Sequence, residues 1–310
     1  MESIAVAVPP LTEVLAAIPD FRAARGKRHG LLPTLLLVCV ATLCGARSQT
    51  AIAAWGRDYG PPWLRRLGFT KGDGPSQSTL CRLFQGVAYA AIEAALRRWA
   101  ERVLQQVATG ELEGVALDGK TLRGSKKRGA ADAHLLAALS QRLGVVLGQA
   151  AVPAKTNEIG AADEFLLGLV LEGRVVTADA LLAQRALAQT IRDRGGDYLL
   201  VVKGNQPSLR WDIEAVFSDE AALADSVRVV TDVSQHGGRL ETRRLAASRA
   251  LVGHRDWPGR AQVLRLDRRV VHKATGVVLR HETAYAVTSL SPDRATPAQL
   301  LALWRAHWHV

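Results

Sequence analysis

The hydrophobic period of this chain changes near residue 112, and that change restricts the fold more than any other feature of the sequence. Up to about residue 105, apolar residues recur at every third or fourth position in Leu11–Ile18, Leu35–Leu43, Ser48–Trp55, Thr79–Phe84 and Ala88–Leu104. That spacing lines one side of a helix. Beyond it, β-branched runs bounded by glycine appear at Glu113–Leu117, His134–Leu139, Val145–Val152, Arg174–Thr177 and Tyr198–Val202, the signature of strands. Helical patterns precede and follow the fourth of these runs, at Ala161–Leu171 and Ala183–Arg194, and a third follows the fifth run at Pro207–Phe217.

Three strands with short links, then helices alternating with strands, predict an α/β fold with a mixed sheet of ribonuclease-H-like order; a doubly wound sheet fits the same pattern. A β-rich insertion is expected at about 226–290, with strands Val227–Val233, Leu240–Ser248, Ala261–Lys273 and Val277–Ser289. The last segment, 296–310, opens on Thr296-Pro297, a helix-start signal. The expected division is an all-helical N-terminal domain at 1–105 and an α/β domain at 106–310. Within the first, Pro61-Pro62 and Gly72-Asp73-Gly74-Pro75 predict an exposed loop over Asp58–Pro75, with Ser76 and Ser78 as candidate helix N-caps.

Charge narrows the partner. The 310 residues carry 40 Lys+Arg against 29 Asp+Glu, a net charge of +11. Only 8 of the 40 are Lys, so the total alone is weak evidence for a polyanionic ligand, but its distribution is uneven. Residues 1–110 hold 13 basic and 7 acidic side chains, and residues 239–273 hold 10 and 3, two local excesses of the kind a nucleic-acid footprint leaves. Cys39, Cys44 and Cys81 form no CxxC pair, which argues against a disulfide framework or a zinc site and fits the cytoplasm. The apolar stretch Leu31–Gly45 follows a basic run but contains Pro33 and is shorter than the roughly 20 residues of a membrane span, so a buried helix is expected there.

Two aspartates stand at strand ends: Asp118 closes the first strand and Asp179 the fourth. Open α/β sheets place their sites at the carboxyl ends of strands, and two carboxylates on neighbouring strands suit a divalent cation. The plain alternative is that each is a turn or N-cap residue. Lys120, Arg123, Lys126, Lys127 and Arg128 follow Asp118, as phosphate-neutralising cations or as a solvated loop. Lys203-Gly204-Asn205-Gln206 follows the fifth strand, and Lys155-Thr156-Asn157-Glu158 the third. Gly119-Lys120-Thr121 lacks the glycine spacing of a P-loop, no dinucleotide fingerprint is present, and no nucleophile elbow supports a serine triad. His307 and His309, two apart on a helix, point to different sides, so a surface or DNA-facing role is expected of them.

In combination these residues resemble the DDE transposases of bacterial insertion sequences, in the ISAs-type branch that includes the H-repeat-associated proteins. Leu117-Asp-Gly-Lys-Thr-Leu-Arg-Gly124, Lys155-Thr-Asn-Glu-Ile159, Val176-Thr-Ala-Asp-Ala180 and Lys203-Gly-Asn-Gln206 are similar to its catalytic blocks, in order and at similar spacing. Pro19-Asp20 with the basic run after it, Leu31–Ser48, and Ile52-Ala-Ala-Trp55 resemble the N-terminal domain associated with that family.

The resemblance implies a ribonuclease-H-like catalytic domain in which Asp118 and Asp179 are the first two members of an acidic triad binding Mg²⁺ or Mn²⁺. The implied reaction is metal-dependent hydrolysis of DNA at transposon ends and joining of the 3′-hydroxyl to target DNA. The partners are the terminal inverted repeats and target DNA, with a homodimer on the DNA as an expected assembly and a nucleoid location. Lys120, Arg123, Lys126, Lys127, Arg128, Lys203, Asn205, Gln206, Arg239, Arg243 and Arg244 are the expected DNA contacts. The sequence departs from the family in Gln235-His-Gly-Gly-Arg-Leu-Glu241, which sets His236 one position further from Arg239. Trp304 and His307 fit the aromatic and basic positions that precede the third carboxylate, which places that Glu one residue past Val310. The expectation is therefore a C-terminally truncated transposase, inactive over these 310 residues. The rival reading is a non-catalytic DNA-binding remnant that inhibits intact relatives, and an unrelated metal nuclease is a third.

Overall fold

The computed structural model describes residues 10–23, 27–106, 112–121, 134–152, 158–218, 227–254 and 256–309. The chain divides into two compact units, 1–109 and 110–310. Five helices make up the described part of the first: α1 (Leu11–Ala16), α2 (Leu31–Leu43), α3 (Gln49–Arg66), α4 (Gln77–Gly86) and α5 (Tyr89–Gln106). Leu15, Leu35, Leu83 and Ala95 from α1, α2, α4 and α5 meet in one apolar cluster. Leu37, Ile52, Leu64, Phe69 and Leu80 form a second. Ser48 and Ser76 cap α3 and α4, each hydroxyl accepting from the backbone N–H three residues on, at 3.1 and 3.3 Å.

The loop expected over Asp58–Pro75 is corrected in its first half, because α3 runs through it to Arg66. Gly60 takes φ 71°, a left-handed value open to glycine, and breaks the helix into two segments. Pro61 and Pro62 then start the second segment, where a missing N–H costs nothing. The Pro-Pro signal marks a kink between helical segments rather than a loop.

The second unit is built on one sheet of nine strands in the order β3-β2-β1-β4-β5-β9-β8-β7-β6. Its first half comprises β1 (Glu113–Thr121), β2 (His134–Ser140), β3 (Val146–Val152), β4 (Arg174–Ala178) and β5 (Asp197–Val202), with α6 (Glu158–Leu167) before β4, α7 (Arg185–Asp193) before β5 and α8 (Pro207–Ser218) after it. β1, β4 and β5 run parallel, while β2 and β3 are antiparallel to their neighbours. β4 and β5 are buried along their whole length, as strands covered on both faces must be.

The insertion strands β6 (Val227–His236), β7 (Arg239–Ser248), β8 (Gln262–His272) and β9 (Val278–Thr288) do not form a separate sheet. β9 pairs antiparallel to β5 through Tyr285–Thr288 only. Residues 278–284 of β9 therefore run beyond the carboxyl end of β5, roughly 23 Å at strand rise. The insertion thus extends the sheet past the edge at which β4 and β5 end.

Helix α9 (Pro297–Ala306) closes one face. Thr296 caps it with a full capping box: its hydroxyl accepts from Gln299 N–H and the Gln299 side chain accepts from Thr296 N–H. Leu300, Leu301, Leu303 and Trp304 of α9 pack on Val175, Leu199, Val201, Leu245, Leu264 and Ala286, joining both halves of the sheet in one core. The helix expected over 296–310 stops at Ala306 and tightens to a 3-10 turn at His307–His309. No helix among the described residues is long and apolar enough to cross a membrane.

Candidate catalytic site

The parallel register of β1 and β4 ends with Leu117 beside Ala178. Asp118 and Asp179 follow those two residues by one position each, so the aspartates stand side by side where the β1–β4 pairing ends. Asp179 follows the last residue of β4, whereas Asp118, expected to close the first strand, lies inside β1, which continues to Thr121 because β2 still pairs with it. Alternate residues of a strand share a face. Asp118 thus shares a face with Ala116 and Gly114, and Asp179 with Thr177 and Val175, the face on which α9 lies.

Asp179 also serves its own turn: Oδ1 accepts from the backbone N–H of Leu181 at 3.1 Å and Leu182 at 3.4 Å. The turn role and a role in the site are compatible, because those bonds fix the carboxylate. The Asp118 side chain is about one-third exposed, and Lys120 Nζ approaches its Oδ2 to 3.9 Å. Among the described residues no group of three or more His, Cys, Asp or Glu side chains is arranged to hold a metal, so the two aspartates stand as a pair.

His307, expected at the surface, is buried beside them, at 4% exposure. Its Nδ1 lies 3.1 Å from the Thr177 hydroxyl. Gln141 Nε2 donates to the same hydroxyl at 2.7 Å and to the Leu303 carbonyl at 3.3 Å. The Thr177 hydroxyl, already an acceptor, is placed to donate to Nδ1, which favours the tautomer carrying its hydrogen on Nε2. Burial lowers the pKa of His307 below its ordinary value, and Asp118 and Asp179 pull it back up. The expectation failed because spacing on a helix says where side chains diverge, not what the helix end lies against; here the turn after α9 packs on β1. His309 is not described beyond its backbone.

The expected DNA contacts fall into distinct settings. Arg123, Lys126, Lys127 and Arg128 lie outside the described residues, as do Lys155–Asn157 and the side chain of Glu158. Lys203 is exposed directly after β5 and, following Leu199 and Val201 in alternation, on the face of the aspartates. Asn205 and Gln206 tie loops together: the Asn205 amide donates to the Ala180 carbonyl, and Gln206 Nε2 to the Ala183 carbonyl at 3.1 Å and Gln184 Oε1 at 3.2 Å. These bonds join the turn after β5 to the turn that carries Asp179.

Arg239 is exposed at the β6–β7 hairpin, where Gly237 and Gly238 take φ 54° and 73° and make the turn, with His236 exposed before them. Arg243 is half-buried, 2.7 Å from Glu241 and 3.7 Å from Asp232, and donates to Ser234 at 3.0 Å. Arg268 in turn pairs with Glu241 and Glu282, and Arg305 with Asp232 at 2.8 Å. Arg244 points to the opposite face, 4.0 Å from Asp267. The basic excess counted over 239–273 is therefore partly neutralised by Asp232 and Glu282, two strands' neighbours that lie outside that window.

The sequence pattern of the Transposase DDE domain matches residues 109–310, and that of the DDE_Tnp_1-associated domain matches residues 12–100. The chain belongs to the DDE transposase family. YncI of Escherichia coli strain K12, named as a candidate transposase, is 34% identical over 247 residues, which are 77% of this chain and 95% of that one. The YncI of Escherichia coli O157:H7 is 33% identical over 247 residues, and this chain spans 60% of its length. The K12 protein YbfD, named as an H repeat-associated candidate transposase, is 32% identical over 209 residues, 67% of this chain and 81% of that one. A DDE transposase domain has a ribonuclease-H-like fold, and the order β3-β2-β1-β4-β5 with parallel β1, β4 and β5 agrees with it.

Proposed function

We propose that this chain is an insertion-sequence transposase of the ISAs type, whose second unit cleaves DNA strands at transposon ends and joins them to a target with Asp118 and Asp179 as metal ligands. The register that sets Asp118 beside Asp179 carries this reading. The donor set fits the ion: two carboxylates at a strand edge are hard oxygen ligands, and Mg²⁺ is held by one or two carboxylates while keeping several waters. Bound there, Mg²⁺ or Mn²⁺ supplies charge neutralisation and Lewis-acid activation for phosphoryl transfer.

The chain's own residues position the substrate. Asp179 is fixed by the N–H groups of Leu181 and Leu182, and Asn205 and Gln206 hold that turn against the start of α8. Lys203 and Lys120, exposed beside the pair, attract the phosphate backbone, and Arg239 does so from the projecting insertion. Arg123, Lys126, Lys127 and Arg128 are proposed to continue that surface. Residues 1–105 are proposed as a helical domain that binds the inverted repeats, with the protein dimeric on DNA.

Among the described residues two carboxylates meet at the site. A nicking assay on the element's own ends with Mg²⁺ or Mn²⁺ tests the ligand assignment. Metal-dependent cleavage abolished by Asp118→Asn would uphold it. Cleavage that survives both Asp118→Asn and Asp179→Asn would overturn the site.

A further inference from the structure

On the sheet face that carries the Tyr198 side chain, Arg185, Gln206, Ser208, Leu209, Trp257 and Arg260 line a cavity of about 220 Å³. Arg185 opens α7 and Ser208 stands in the first turn of α8. Arg260 is 93% buried, its Nη2 donating to the carbonyls of Leu251 and His254. None of the lining residues is acidic. Water occupies about 30 Å³ in the liquid, so the space takes a tetrahedral oxyanion with its first waters.

Three independent features favour an anion. Two guanidinium groups contribute to one cavity, and Arg260 is held in place by the carbonyls of Leu251 and His254, so it is preorganised. Ser208 supplies a hydroxyl donor. The first N–H groups of α7 have no carbonyl within the helix, and its N-cap, Gln184, makes no side-chain cap, which leaves the start of α7 suited to a negative charge. Gln206 bonds to Ala183 and Gln184, locking the two helix starts together.

We propose that this cavity is a second phosphate subsite, taking a backbone phosphate of the DNA whose scissile phosphate lies at Asp118 and Asp179. The inference rests on the reading of the chain as a DNA-cleaving family member and adds to it a contact made by Arg185, Ser208 and Arg260, which lie outside its motif blocks, with Gln206 the motif residue on the rim. Arg185 comes six residues after Asp179, and Ser208 five after Lys203, so both rims follow strands at the same carboxyl edge of the sheet, on the face opposite the aspartates, and DNA that crosses this edge would meet both sites. Trp211 supports nucleic acid over free phosphate. It is 73% exposed and three residues after Ser208, hence on the same side of α8, where a base can stack on it.

The test uses the full chain in EDTA, so that binding is read apart from chemistry. Binding of a labelled duplex by fluorescence anisotropy is measured across NaCl concentrations for the wild type, Arg185→Ala, Arg185→Lys and Ser208→Asp. Losing one phosphate contact lowers the log–log salt slope by about 0.9. Arg185→Ala is expected to do so, Arg185→Lys to keep the slope, and Ser208→Asp to weaken binding further. An Asp in a first helical turn favours the helix, so the last variant stays folded, which circular dichroism checks. In parallel, inorganic phosphate is titrated while the Trp257 indole N–H is followed by NMR, assigned with Trp257→Phe.

Unchanged slope and affinity in Arg185→Ala and Ser208→Asp overturn the DNA subsite while leaving the catalytic reading intact. If phosphate still shifts Trp257 in that case, the cavity is a free-phosphate site; if it does not, it is no anion site. A wild type that binds no DNA at any salt overturns the transposase reading together with the subsite.

Discussion

The Nδ1 atom of His307 lies 3.1 Å from the hydroxyl of Thr177, one alternation down the strand from Asp179 on the same face. With Gln141 bridging Thr177 and the Leu303 carbonyl, this fastens the end of α9 to the strands that carry both aspartates. The seat of α9 and the shape of the site are therefore one structural problem.

That coupling makes Gly114 sensitive. A Cβ placed there would lie 2.9 Å from Leu303 Cδ2 and closer still to the Gln141 side-chain amide. Gly114→Ala is expected to displace Gln141 and the last turn of α9, costing about 1–3 kcal/mol as overpacking does. Urea unfolding measures the loss, and the His307 ring signals in NMR report whether the Thr177 contact moves. A neutral Gly114→Ala with unmoved His307 signals refutes the coupling.

The two arginines of β7 should behave differently. Arg239 is exposed, whereas Arg243 is engaged with Glu241, Asp232 and Ser234. Arg239→Ala is expected to reduce the salt slope of DNA binding by about 0.9 with little change in stability. Arg243→Ala is expected to reduce stability and leave the slope nearly unchanged. Equal slope losses would show that the Arg243 pairs open on DNA.

Asp197 is a buried charge at the start of β5. Its side chain is 2% exposed, pairs with Arg192 and with Arg294 at 2.5 Å, and accepts from Ser289 at 2.8 Å. Asp197→Ala leaves Arg192 without its buried partner and should destabilise the second unit by about 3–5 kcal/mol. A loss below 1 kcal/mol by urea unfolding would contradict this.

His29 gives the first unit a pH dependence. It is buried edge-on to Phe69, and burial lowers its pKa below the ordinary 6.5, with Asp73 opposing the shift. The unfolded chain then binds the proton more readily than the folded one. Its contribution is full above pH 6.5 and is lost as pH falls from there toward the folded pKa. His29→Gln is expected to flatten the pH dependence of the first unit's thermal midpoint between pH 7 and 5.

What the sequence determined by itself was which elements occur and in what order, more than where each one ends. Period and glycine placement located the nine strands of the described residues, because local backbone preference and side-chain alternation are written residue by residue; the strand-end reading held for Asp179 but not for Asp118, which lies inside β1. Capping at Ser76 and Thr296 was legible for the same reason. That the strands of the two aspartates are neighbours followed from the expected sheet order, but their register did not. Only the pairing of Leu117 with Ala178, 61 positions apart, brings the aspartates together. Only the packing of α9 across the sheet buries His307, and only β6 and β9 show that Arg243 and Arg268 meet Asp232 and Glu282. Burial and charge pairing are properties of neighbours in space, and the tertiary structure chooses those neighbours across distances at which the local pattern carries no signal.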